Sequence, residues 1–149
     1  MAGKTIAQSD AVLNLIATNT APTAPGATLY VALLHTNPTS DDMTGAVETT
    51  YTNYARQSIA SSSVGWNAPA TLSASIREIT NKLLLTFPTA GATGDTGVNG
   101  FAICKTNGTS AVTVAGEVLY WGALTGAPKV INAGDPVSMA AGAVVLTED

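Results

Sequence analysis

The sequence predicts an all-β protein, a β-sandwich or jelly roll with a short N-terminal helix. Residues 116–149 contain four short apolar runs of strand length, separated by Gly, Pro, Asn and Asp, which suit turns. Along the whole chain about eight to ten such runs occur, a pattern typical of sandwiches and jelly rolls. The breaks between the C-terminal runs are too short for helical crossovers, so the strands should pair mainly antiparallel.

One helix is predicted, over residues 5–18, where apolar residues recur at three- and four-residue spacing. Ser9 or Asp10 is expected as its N-cap, because a short side-chain oxygen can accept a hydrogen bond from an exposed amide. A linker of Thr, Ala, Pro and Gly follows it. The chain therefore divides into an N-terminal helical segment and linker, residues 1–27, and a β-sandwich domain, residues 28–149.

The clearest strand prediction is residues 28–35. Leu29, Val31 and Leu33 fall on one face, and the residues between them are also apolar, so this strand should be central and covered on both sides. Residues 37–51 form a long polar loop. Further strands are expected at residues 54–60, 64–66, 81–87, 98–105 and 111–115, followed by the four C-terminal runs.

The composition argues against several classes of function. Only 11% of the residues are charged, and the six basic residues are scattered, so no patch suited to direct nucleic-acid binding is expected. No apolar run approaches the length of a membrane span. The single cysteine, Cys104, lies in an apolar run and is expected to be a buried structural thiol. A surface of small neutral residues fits either a member of an assembly or an ordinary β-domain.

The residues that could carry catalysis do not form a familiar pattern, so we expect neither an enzyme nor a cofactor. His35 is the only histidine, and no nucleophile elbow accompanies it. The Gly-rich segment 91–97 lacks the Lys-Ser/Thr of a phosphate loop. Asp41, Asp42 and Glu48 do not have the spacing of a helix-loop-helix calcium site. We therefore expect no metal site either.

Three segments together carry a resemblance to a known group of proteins. These are Leu-Tyr-Val-Ala-Leu-Leu-His-Thr-Asn-Pro-Thr-Ser-Asp-Asp at 29–42, Asn-Tyr-Ala-Arg-Gln-Ser-Ile at 53–59, and the strand-rich stretch at 119–147. Their order and spacing resemble small structural proteins of tailed bacteriophages, and the size and β-rich pattern are similar to capsid cement (decoration) proteins with jelly-roll-like folds. The resemblance implies a virion component on the outer surface of the icosahedral head. Other members of this group lie in tails, baseplates or fibres, and these remain the alternative.

The partners implied by this resemblance are the major capsid protein and further copies of the chain, as a dimer or trimer. Open sheet edges and the low surface charge also favour self-association. We expect the partner contacts to come from the helical segment and the 37–51 loop, because loops of that length usually have a task. The candidate interface residues are Ile6, Val12, Leu15, Ile16, Asn37, Asp41, Asp42 and Tyr51.

A less favoured alternative is a carbohydrate-binding β-module, in which aromatic rings would stack on sugar faces. That function requires several aromatic side chains exposed on one face. The candidates are Tyr30, Tyr51, Tyr54, Trp66, Tyr120 and Trp121.

Overall fold

A computed structural model describes residues 2–73 and 76–148. These residues form thirteen strands and one helix, so the all-β prediction is confirmed. The elements are β1 (Ala2–Lys4), α1 (Ile6–Thr18), β2 (Thr28–Thr36), β3 (Val47–Glu48), β4 (Gln57–Ala60), β5 (Ala70–Thr71), β6 (Arg77–Thr80), β7 (Leu85–Phe87), β8 (Asp95–Val98), β9 (Gly100–Cys104), β10 (Val118–Ala123), β11 (Lys129–Ile131), β12 (Val137–Met139) and β13 (Val145–Glu148). The helix is not long enough to cross a membrane.

Nine strands form one large sheet in the order β3-β2-β9-β10-β1-β13-β6-β5, with β4 paired to β2 beside β3. Every pairing in this sheet is antiparallel except that of β1 with β13. Two further antiparallel ribbons, β8–β11 and β7–β12, lie outside it. The first strand, β1, was not anticipated from the sequence, because the three residues Ala-Gly-Lys carry no apolar pattern.

The main core lies between one face of the large sheet and the two ribbons. Val31 and Leu33 of β2 pair in register with Ile103 and Phe101 of β9, and all four are buried. The ribbons complete this cluster with Leu85, Phe87, Val98, Ile131 and Met139. Burial of large aliphatic and aromatic side chains here supplies the main favourable term for folding.

A second, smaller core covers the opposite face of β2 and β9. Ala32, Leu34 and Cys104 on this face contact Met43 and Val112, which come from two loops. The small side chains let these loops approach the sheet closely. The prediction that β2 has two apolar faces is therefore confirmed, and loops rather than a second sheet cover this face.

Several predicted boundaries are wrong. The predicted strand at 81–87 reduces to Leu85–Phe87, because Asn81 is fully buried and uses its side chain to hold neighbouring turns. The segment 111–115 forms turns, and its Val112 packs into the second core. Thr5, not Ser9 or Asp10, is the N-cap of α1: its side chain accepts from the amide of Gln8.

A buried arginine joins three distant parts of the chain. Arg56 precedes β4, and its guanidinium donates from Nε and Nη2 to the two carboxylate oxygens of Glu48, at 2.9 and 2.8 Å. Its Nη1 donates to Glu117 at 2.7 Å. The remaining donors reach the carbonyl oxygens of Thr106 and Ser110, each at 2.9 Å. All five N–H groups of the side chain are thereby satisfied.

Opposite charges in this network stabilise the ionised form of Arg56. Burial alone would lower the pKa of Arg56, but hydrogen bonds and negative charge from Glu48 and Glu117 outweigh that effect and raise the pKa above its ordinary value. Tyr54 donates its hydroxyl to Glu48 at 2.8 Å and accepts from the amide of Leu33. Burial and the neighbouring charge of Glu48 raise the pKa of Tyr54. The network therefore ties β2, β3 and β4 to the loop before β10.

We predict that Arg56→Met destabilises the protein by about 3–5 kcal/mol, because two carboxylates would lose their buried cationic partner. Urea unfolding measures this change. Arg77→Met is the matched control, since Arg77 is exposed and its partners among residues 2–73 and 76–148 are the exposed groups of Thr71 and Pro69. It should change stability by less than about 0.5 kcal/mol. Equal unfolding midpoints for the two variants would contradict the role given to Arg56.

The burial of Cys104 generates a second prediction. Cys104 is fully buried, pairs with Tyr30 and Val118, and burial raises the pKa of its thiol to about 12. A thiol reagent should label the native protein only as fast as the structure opens, because the thiolate is the reactive form. Cys104→Ala should cost on the order of 1 kcal/mol for a small cavity. Immediate labelling under native conditions would show that this site is accessible.

Candidate interaction surface

The most unusual surface of the molecule is helix α1. None of its residues is buried, and Leu13 and Ile16 expose 62% and 77% of their surface. Apolar side chains lie around most of its circumference, and Asp10 is its only charged residue. A helix that is apolar on all sides normally occurs inside a protein or an assembly. The exposed large apolar residues are Ile6, Val12, Leu13, Leu15 and Ile16.

Local interactions fix where α1 begins and ends. Thr5 caps its N-terminus and is itself held by the β-rich part of the chain, residues 28–148, which is called the body below. The amide of Thr5 donates to the carbonyl of Leu119 at 3.0 Å, and its hydroxyl donates to the carbonyl of Val118 at 2.9 Å. The C-cap Asn19 adopts a left-handed conformation with φ of 54°, which Asn tolerates better than most residues. The amide of Thr20 then closes the last turn on the carbonyl of Asn14.

The structure brings the start of α1 against the 37–51 loop. The amide of Ile6 donates to the carbonyl of Asp41 at 3.1 Å, and the indole of Trp121 donates to the Asp41 carboxylate at 3.2 Å. A cavity of about 200 Å³ lies between them, lined also by Met43 and Val114. The two segments that the sequence suggested as contact regions thus form one continuous surface, defined here as the α1–loop surface.

The other predicted loop residues have different positions. Asp42 closes a tight turn by accepting from the Ser40 hydroxyl and the Thr44 amide, and these hydrogen bonds lower its pKa. Asn37 is partly buried; its Nδ2 donates to the carbonyl of Asn99, and its side chain packs where a Cβ on Gly100 would clash.

The surface placement implied for Tyr51 is wrong. Its ring is buried against Tyr54 at a centroid distance of 5.3 Å, and its hydroxyl donates to the carbonyl of Pro88. The aromatic side chains considered for sugar binding do not form a platform either. Tyr51 and Trp66 are buried, and the other four are only partly exposed. An interface role remains a prediction for the other candidate residues, which are Ile6, Val12, Leu15, Ile16, Asn37, Asp41 and Asp42.

A second polar cluster surrounds Asp95 at the start of β8. Its carboxylate accepts from Nδ1 of His35 at 2.7 Å, from the Gly97 amide at 2.8 Å and from the Thr49 hydroxyl. Burial alone would raise the pKa of Asp95, but these hydrogen bonds outweigh it and hold the pKa below its ordinary value. The hydroxyl of Thr49 binds the carboxylate rather than the imidazole, so the cluster lacks the order of a nucleophile, base and acid.

The hydrogen-bond partners of Asp95 indicate that this cluster has a structural role. It fastens β8 to the end of β2 and to the segment after β3, which are distant in sequence. Among residues 2–73 and 76–148, no group of three or more His, Cys, Asp or Glu side chains is placed to hold a metal ion. Sequence reasoning identified His35 but missed Asp95, because the two are 60 residues apart and no local pattern joins them.

Comparison with known protein families gives a match over nearly the whole chain. The model of the family described as Podophage GP4 fiber I protein gp80 matches residues 4–147 of the chain. No curated protein matches it. The matched range includes the α1–loop surface and every strand from β2 to β12 in full.

We predict that Asp95 stabilises the fold above about pH 4 and loses that effect in acid. A carboxylate whose pKa is lower in the folded state stabilises the protein above its unfolded pKa, near 3.9, and loses that effect as the pH falls through the folded pKa. Asp95→Asn should lower the free energy of unfolding by about 1–3 kcal/mol at pH 7, because charged hydrogen bonds are lost. The difference from the wild type should shrink below pH 4.

Urea unfolding at pH 7 and at pH 3 measures this effect. Asp10→Asn is the control, because it removes an exposed carboxylate from α1. A difference between wild type and Asp95→Asn that stays constant down to pH 3 would contradict the assignment.

Proposed function

Since this chain belongs to the Podophage GP4 fiber I protein gp80 family, it is a phage structural protein, and we propose that it is a component of a tail fibre. The match to a family whose description names a fibre, over nearly the whole chain, carries the proposal. That description favours the tail alternative over the head-surface cement role expected from the resemblance. The proposed location is therefore the tail of the virion.

The structure supplies a physical basis for assembly into such a fibre. The body has a core on each face of its sheet and internal ion pairs, so it is suited to act as a rigid unit. The α1 helix offers large apolar side chains that are exposed rather than packed in either core. We propose that neighbouring fibre proteins bury this helix, since each large aliphatic side chain transferred from water gains roughly 1.5–3 kcal/mol.

Localisation on the virion tests the proposal. Antibodies against the chain, imaged by electron microscopy on intact particles, should label fibres at the tail. Quantitative mass spectrometry of purified virions should find tens of copies or fewer. Label distributed over the head, with a copy number near that of the major shell protein, would overturn the fibre proposal and restore the cement role.

We predict that Leu15→Asp/Ile16→Asp leaves the purified protein folded but reduces its incorporation into virions at least tenfold. The two substitutions place charges where the partner must bury apolar surface. Leu83→Asp/Leu84→Asp is the matched control, because those leucines are exposed to a similar extent but lie far along the chain from α1. Incorporation is measured by complementing a phage that lacks the gene. Equal incorporation of both variants would remove α1 from the assembly interface.

A further inference from the structure

The N-terminal arm, defined as β1 and α1 (residues 2–18), is held to the body at its start alone. Residues 2–4 pair with β10 at Tyr120–Gly122 and with β13 at Leu146. The Lys4 ammonium lies 2.6 Å from the Glu148 carboxylate. Thr5 is buried and makes the hydrogen bonds described above. The body contacts of the arm are therefore concentrated at its first five or six residues.

The strand β1 occupies a slot in the middle of the large sheet. It lies between β10 and β13, and in the described sheet order these two strands are joined only through β1. Removing it would leave two unpaired strand edges in the centre of the molecule, which is an unfavourable arrangement that invites another strand. The sheet is therefore continuous only when a strand fills this slot, and residues 2–4 fill it.

Beyond Ile6, whose amide binds Asp41, the helix and the linker are not packed into the body. Between Thr5 and Leu29 no residue is buried. The linker of residues 19–27 contains Pro22 and Pro25, which favour extended backbone for the residues before them. Nine residues can span roughly 30 Å and the helix adds about 20 Å, whereas a domain of this length has a radius of gyration of roughly 15 Å. The arm can thus reach the slot of an adjacent copy.

We propose that copies of this chain exchange their N-terminal arms, so that β1 of each copy fills the slot between β10 and β13 of a neighbour. Every hydrogen bond and the Lys4–Glu148 ion pair are then made between two copies instead of within one. The exchange loses none of these contacts. It also places α1 between two bodies, where its exposed leucine and isoleucine side chains become buried, and this gain favours exchange over the closed monomer. The inference concerns the purified chain and does not rest on the fibre proposal.

The Lys4–Glu148 pair provides a direct test. A carbodiimide joins a lysine to a carboxylate that it touches, and both side chains are partly exposed to the reagent. Lys4→Arg retains the ion pair but cannot be coupled, and Glu148→Gln retains a hydrogen-bond acceptor for Tyr120 but cannot be coupled. The two variants, carrying different tags, are co-expressed, purified through both tags in turn and treated with the reagent.

In this mixture, Lys4 and Glu148 occur together only when the arm of one chain lies in the slot of the other. We expect a covalent heterodimer on a denaturing gel, with the Lys4–Glu148 linkage identified by mass spectrometry. Each variant expressed alone should not form this linkage. Wild-type protein should form the Lys4–Glu148 linkage whether or not arms are exchanged, because the two side chains are in contact whichever copy supplies the arm.

Two results would overturn the proposal. The first is a linkage that forms in the wild type but not in the mixed variants, which would place each arm in its own slot. The second is a mass near 15.0 kDa by light scattering at high protein concentration, which would show a closed monomer. Neither result would bear on where the protein lies in the virion, so this test and the localisation experiment can fail independently.

Discussion

The ion pairs of Arg56 are the constraint on which much of the body depends. A buried guanidinium is tolerated only when its charge is balanced and its donors are satisfied. Here that requirement brings together Glu48, Glu117 and two loop carbonyls, so the loop between β9 and β10, which supplies Val112 to the second core, is fastened to Arg56. The core beneath that loop has fewer buried residues than the main core, and several of them, such as Ala32, Ala102 and Cys104, are small.

The parts of the fold that depend on local pattern could be predicted from the sequence. The two apolar faces of residues 28–35 follow from a side-chain period of two, and the helix at 5–18 follows from its spacing. Features that depend on pairing between residues far apart in the sequence could not be predicted. Nothing local marks Arg56 and Glu117, 61 residues apart, as partners, and three residues such as Ala2–Lys4 are too few to show a strand pattern.

Only part of the candidate surface could be predicted, because here too local patterns are visible in the sequence and distant contacts are not. The exposed helix and the Asp41 region were suggested by apolar spacing and loop length, and the structure places them side by side. Tyr51 was assigned to the surface because it ends a polar segment, yet its ring packs in the main core. Thr5 was missed as the N-cap because the body, through Val118 and Leu119, selects it over the later Ser9 and Asp10.

The two ribbons carry an outward row that contributes little to the core. Thr86 and Ser138 face each other across one ribbon, and Thr96 and Val130 lie exposed on the other. Their inward neighbours, such as Phe87 and Val98, hold the ribbons to the sheet. Substitutions in the outward row should therefore change folding stability little, so selection for a stable fold should rarely remove them. Over evolutionary time the ribbons can diversify the outer face of the protein while the body beneath them keeps its shape.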